Sequence, residues 1–113
     1  CSALSAMGLT PVRIGGVKNL VEMLARGERF DAVFNFCEGL KGNARESQVP
    51  ALLEAYDIPY VFSDALTLAL SLDKGMAKRV VRDAGVATTD FRLIEKGKHI
   101  PKVLNYLLKR IMV

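Results

Sequence analysis

Apolar positions along this chain alternate between two rhythms. Between residues 17 and 26 they stand at helical spacing (Val17, Leu20, Val21, Leu24) and stop at Gly27, the pattern of an amphipathic helix ended by a C-cap glycine. Residues 32–37 then run AVFNFC, apolar apart from Asn35, which predicts a parallel strand covered by helices on both faces. Helical spacing returns over residues 45–56, with Val49, Leu52, Leu53 and Tyr56 on one stripe, and IPYVF at 58–62 predicts a further strand. Before these, residues 1–8 read as the closing turns of a helix capped by Gly8, and residues 11–14 as a short strand ending at Gly15-Gly16.

Helices and strands in alternation with short connections call for a parallel sheet and right-handed crossovers. The expected class is therefore α/β, a Rossmann-like layer over the first part of the chain. The rhythm changes after residue 62. Asp64 and Asp73 each stand where an N-cap belongs, the second opening a helix that runs to Gly85, and residues 91–95 return to β character. Residues 96–99 read as a turn and 100–108 as a last amphipathic helix. This places a domain boundary near residue 72, with 1–72 as the first unit and 73–113 as the beginning of a second. A helix already under way at Cys1 and a β run reaching Val113 predict that the chain is a piece of a larger protein.

Half of the 113 residues are hydrophobic, enough for a folded domain with one modest core. No apolar run approaches the roughly 18 residues of a membrane span, and no signal-peptide pattern opens the chain, so the expectation is a cytoplasmic protein with no membrane partner. Cys1 and Cys37 are too few and too scattered for a disulfide framework. The net charge of +4 is spread over several helices without interleaved aromatics, which argues against nucleic acid as a partner. The single histidine, His99, offers no pair for a metal site.

The candidate chemistry starts where the strand at 32–37 ends. Glu38-Gly39 puts a carboxylate and a residue without a Cβ at the carboxyl end of a strand, where open α/β sheets bind ligands. Glu38 could accept hydrogen bonds from a substrate ammonium, or be a solvated loop acid, the commoner role of such a residue. Asn43 and Glu46 have the spacing of a reciprocal cap. Arg45 is a cation in a first helical turn, which opposes the helix dipole and calls for an acid or an anionic ligand nearby. Lys74 poses the same question at the first position after Asp73: a phosphate at that helix N-terminus would meet both amides and the ammonium, whereas an exposed lysine needs no ligand. Lys78 follows one turn on, on the same face.

The segments VFNFCEG, RESQVPALLE, IPY followed by SDALTLALSLDK, and the Lys74 and Lys78 pair preceding AGVATTDF together resemble the amino-terminal region of the D-alanine-D-alanine ligase branch of the ATP-grasp enzymes. The match runs from about Leu4 to Glu95. The resemblance implies a Rossmann-like pre-ATP-grasp domain over 1–72, lacking its first strand, followed by a truncated ATP-grasp domain over 73–113. It also implies an ATP- and Mg2+-dependent ligase that joins two amino acids through an acyl phosphate, in peptidoglycan and cell-wall biogenesis, commonly as a homodimer.

On that resemblance, Lys74 matches a lysine that contacts ATP phosphates. Glu38-Gly39 aligns with a His-Gly pair near the substrate pocket, so Glu38, Gly39 and Arg45 are substrate-proximal candidates. The glutamate in place of histidine opens the possibility of another amino-acid substrate. The resemblance assigns no catalytic residue and no magnesium ligand to this chain; it places the magnesium acids and the adenine pocket after Val113 and the first strand before Cys1, between the strands at 11–14 and 32–37. The fragment alone is expected to be inactive. An alternative of another class is a non-catalytic Rossmann-like module that binds a small anion or amino acid, separable from the ligase by magnesium-dependent ATP turnover.

Overall fold

The computed structural model describes residues 2–94. Over that span the chain forms α1 (Ser2–Ala6), α2 (Val17–Ala25), a 3-10 turn (Arg45–Ser47) continuing into α3 (Gln48–Ala55), α4 (Ala65–Leu72) and α5 (Lys74–Asp83). The expected turn at 96–99 and helix at 100–108 lie outside the described residues.

Four helices end in one way. After α1, α2 and α5, a glycine in the left-handed region (Gly8, Gly27, Gly85) turns the chain. Its N–H, and the N–H of the next residue, return to carbonyls of the last turn, as in Gly27 to Leu24 and Glu28 to Met23, both 3.0 Å. At the end of α3 the same pair of bonds forms around Asp57 at φ 53°, where the short polar side chain tolerates the conformation.

The core gathers where α2 and α3 bury their apolar stripes: Leu20 and Leu24 from α2, Val49 and Leu53 from α3, with Val33 and Ile58 between them. Pro50 is also fully buried. It lies in the first turn of α3, where the backbone N–H groups have no intrahelical partner, so its missing donor costs no helical bond. Ile14, Phe30, Leu52 and Tyr60 pack around the edge of this cluster.

The expected parallel sheet with helices on both faces does not appear among the described residues. What forms is a single parallel bridge, Val33 to Tyr60, made by Val33 N–H to Pro59 O at 2.8 Å and Val61 N–H to Val33 O at 3.0 Å. The pairing direction matches the expectation for 32–37 and 58–62, but it does not extend into a ladder. Residues 11–14 and 91–94, expected as strands, form none.

Two-sided burial of 32–37 is likewise corrected. Val33 and Asn35 face the core, while Phe34 and Phe36 are 59% and 81% exposed. Among the described residues no helix covers the second face; there the Phe34 ring meets Phe36 and Phe62 edge to face, at centroid distances of 5.9 and 5.3 Å.

Candidate functional site

The loop after Val33 is organised by backbone contacts. Asn35, buried, turns its Oδ1 to accept from the Cys37 N–H at 3.2 Å, an Asx-type closure that bends the chain away from the bridge. Glu38 follows as an exposed residue. Gly39 then lies so close to the 3-10 turn that a Cβ there would collide with the Arg45 carbonyl. The loop closes through Gln48, whose Nε2 donates to Lys41 O at 3.0 Å, and through Gly42 at φ 95°.

Gly39 and Arg45 are thus brought together, and Glu38 stands beside them in sequence. The side chains of Glu38 and Arg45 do not join: the one ion pair among the described residues is Arg26 with Glu22, at 3.9 Å. The reciprocal cap expected of Asn43 and Glu46 is not made. The chain tightens into a 3-10 turn whose cap position is Ala44, and the Ala44 carbonyl accepts from both the N–H (3.1 Å) and Oγ (2.7 Å) of Ser47.

Lys74 is reached through α4, which packs against the 3-10 turn at one side and α5 at the other. Asp64 caps α4 by accepting from Thr67 N–H at 2.7 Å, and Asp73 caps α5 by accepting from Met76 N–H at 3.0 Å, as their spacing predicts. The Thr67 amide holds the Asp64 carboxyl below its ordinary pKa. Asp73 is at once the residue that closes α4 and the one that opens α5.

The cation at the start of α5 has a local partner. Lys74 Nζ donates to Ser71 O at 2.9 Å, a carbonyl in the last turn of α4. The negative end of one helix dipole therefore offsets the ammonium's unfavourable position at the positive end of the next. Lys74 is exposed, so its side chain can exchange this carbonyl for a ligand without breaking a buried contact. Although Lys78 lies one turn on, its ammonium turns elsewhere, to Thr88 and Thr89. The two lysines do not converge on one point.

A further clamp escaped the sequence reading. Glu54 Oε1 accepts from the Tyr60 hydroxyl at 2.5 Å and from the Ala65 N–H at 3.2 Å, tying the end of α3 to the bridge residue and to the first turn of α4. The adjacent carboxylate disfavours the phenolate and pushes the Tyr60 pKa up to about 12. Spacings of six and eleven residues carry no periodic signal that could have revealed these bonds.

No group of three or more His, Cys, Asp or Glu side chains able to hold a metal gathers among the described residues. No helix there is long and apolar enough to cross a membrane.

Comparison with known proteins places the chain. It is 35% identical over 95 residues to D-alanine-D-alanine ligase B of Xanthomonas campestris pv. campestris, covering 84% of this chain and 30% of that protein. It is 32% identical over 110 residues to the D-alanine-D-alanine ligase of Pelotomaculum thermopropionicum, covering 97% of this chain and 34% of that protein. An uncharacterized protein of Sinorhizobium fredii is 42% identical over 65 residues, 58% of this chain and 19% of its own length. No family model matches the chain. No solved structure matches it.

The chain is related to the D-alanine-D-alanine ligases. It spans about a third of the length of those relatives.

Proposed function

We propose that the complete protein carrying this chain is an ATP-dependent carboxylate-amine ligase that joins two amino acids. The observation that carries this reading is the similarity to D-alanine-D-alanine ligases over 84% to 97% of the chain. In the proposed reaction, a carboxylate takes the γ-phosphoryl group of ATP and ADP leaves. The amine of the second amino acid then attacks the acyl phosphate, releasing phosphate and forming the peptide bond. Such chemistry depends on positioning and on neutralising phosphate charge.

Lys74 would meet ATP phosphates at the amino end of α5, where the first-turn amides add to its charge. Its exposed position and its bond to a main-chain carbonyl are compatible with that role and with no ligand at all; the assignment to phosphate comes from the ligase relationship. Glu38 would accept from an amino-acid ammonium at the loop mouth, and Arg45, half-buried beside Gly39, would face a carboxylate. Magnesium, when bound, would supply neutralisation of phosphate charge, and no residue of this chain is assigned to hold it. A cytoplasmic homodimer acting in cell-wall precursor synthesis completes the proposal.

The test is amino-acid-dependent phosphate release by the complete protein with ATP and Mg2+, D-alanine first and then other D- and L-amino acids. Release with D-alanyl-D-alanine as product establishes the named reaction. Release with a different amino acid keeps the chemistry and moves the substrate, and no release with any of them removes the ligase reading. Lys74→Ala is expected to raise the KM for ATP about tenfold or more, since a hydrogen bond to a charged group is worth about 1.5–3 kcal/mol. An unaltered KM takes Lys74 out of the site.

A further inference from the structure

The Lys78 ammonium has three hydrogens and three acceptors: Thr89 Oγ1 at 2.8 Å, Thr88 Oγ1 at 3.1 Å and Thr89 O at 3.2 Å. Its charge also stands 5.5 Å from the centre of the Phe91 ring, which the Arg82 guanidinium shares at 5.9 Å. No donor remains for a ligand. The half-buried side chain instead fastens the segment after α5 to the helix it has just left.

That segment runs back along α5. Phe91 lies between Lys78 and Arg82, and two residues on, Leu93 reaches Gly75, the one buried residue of α5. A Cβ on Gly75 would come within 2.6 Å of Leu93 Cδ2, so the leucine uses the space that glycine leaves. Gly75 adjoins Lys74. The hold at Lys78 thereby sets what borders the first turn of α5.

We infer that Lys78 is a positioning residue for ATP binding: by gripping Thr88 and Thr89 it lays residues 88–93 along α5 and fixes the helix start that carries Lys74, without touching the nucleotide itself. This rests on the proposal that Lys74 meets ATP phosphates. It also separates two lysines that sequence spacing would pair as equivalent phosphate contacts.

The test uses the complete protein with Lys78→Met, Thr89→Val and both together, and Lys74→Ala as a reference. Each single change is expected to raise the KM for ATP by about threefold to tenfold, less than the loss of a direct hydrogen bond to a charged group, because Lys78 acts only through the segment it holds. The KM for the amino acid and kcat should be little altered. The double variant should be no worse than the weaker-binding single one, because the two changes break one interaction. A role in folding alone would lower kcat through the active fraction and leave both KM values in place, which overturns the inference. So does a raised KM in Lys78→Met with none in Thr89→Val, since Lys78 would then contact ATP directly.

Amide hydrogen exchange without nucleotide supplies a readout that needs no turnover. Residues 88–93 and the first turn of α5 should exchange faster in both single variants, and unaltered exchange refutes the clamp. If Lys74→Ala leaves ATP binding intact, the phosphate reading fails by itself, and the exchange result alone then decides whether Lys78 holds the segment.

Discussion

Residues 14–60 and residues 64–94 are held together by different means. The first region has a dry centre: Leu20 and Leu53 are 1% and 0% exposed, and six apolar side chains from two helices and two extended segments close over one another. The second region buries none of its large apolar side chains; Leu66 is 70% exposed, Val80 48% and Met76 41%. Its order comes from donors and acceptors set at fixed offsets, Asp64 on Thr67, Asp73 on Met76, Lys74 on Ser71 and Lys78 on Thr88 and Thr89. Hydrophobic burial tolerates approximate geometry, whereas a hydrogen bond weakens steeply with misalignment. The region with the candidate phosphate contact is thus the one whose shape depends on individual polar side chains.

The contrast is sharpest in truncation. Leu53→Ala should cost about 3 kcal/mol as a fully buried leucine, while Leu66→Ala in α4 should stay within about 0.5 kcal/mol. Urea unfolding of the complete protein followed by circular dichroism measures both, and equal losses would dissolve the comparison. Gly39→Ala comes next. Its methyl meets the Arg45 carbonyl, main chain that cannot rotate away, and a loss of about 1–3 kcal/mol is expected, with displacement of the 38–45 loop.

Asp73→Ala removes the cap of α5 and should cost about 1 kcal/mol. In the polar region that is more than the loss of the Leu66 side chain, the reverse of the order that holds in the core.

The smallest effect is electrostatic. Because the Tyr60 pKa is raised above that of an unfolded tyrosine, the contribution of the Tyr60–Glu54 bond is fully present below about pH 10 and is lost as pH rises through about 12. Spectrophotometric titration should find one tyrosine ionising near pH 12, and Glu54→Gln should return it toward 10. For Asp64 the sign is opposite: its depressed pKa makes a contribution that holds above the ordinary carboxylate range and fades as pH falls below it.

What could be read from the sequence follows the same division. Helix limits were legible because their causes are local: the stripe at Leu20 and Leu24, the caps Asp64 and Asp73, and the left-handed glycines at 8, 27 and 85. The sheet was not, since apolar residues at 34 and 36 say that a face is suited to burial and cannot say what lies against it. Asn43 misled because the chain entered α3 through a 3-10 turn with its own cap at Ala44. At the candidate site, the closeness of Gly39 to Arg45 is a contact across a loop, invisible to periodicity. The oddity of a cation at position 74 was visible, and its local partner, a carbonyl three residues earlier, was not.

The joint between α4 and α5 has an implication for how this stretch can change. One extended residue, at φ −81° and ψ 97°, ends one helix and begins the next. Such a coupling has no slack: the last carbonyls of α4 and the ammonium of Lys74 meet only because a single link separates the two elements. An added residue would give the cap of α5 to a different side chain and carry Lys74 out of reach of Ser71, whereas exchanging Asp73 for another capping residue would preserve both. The joint can therefore vary in letter far more readily than in length.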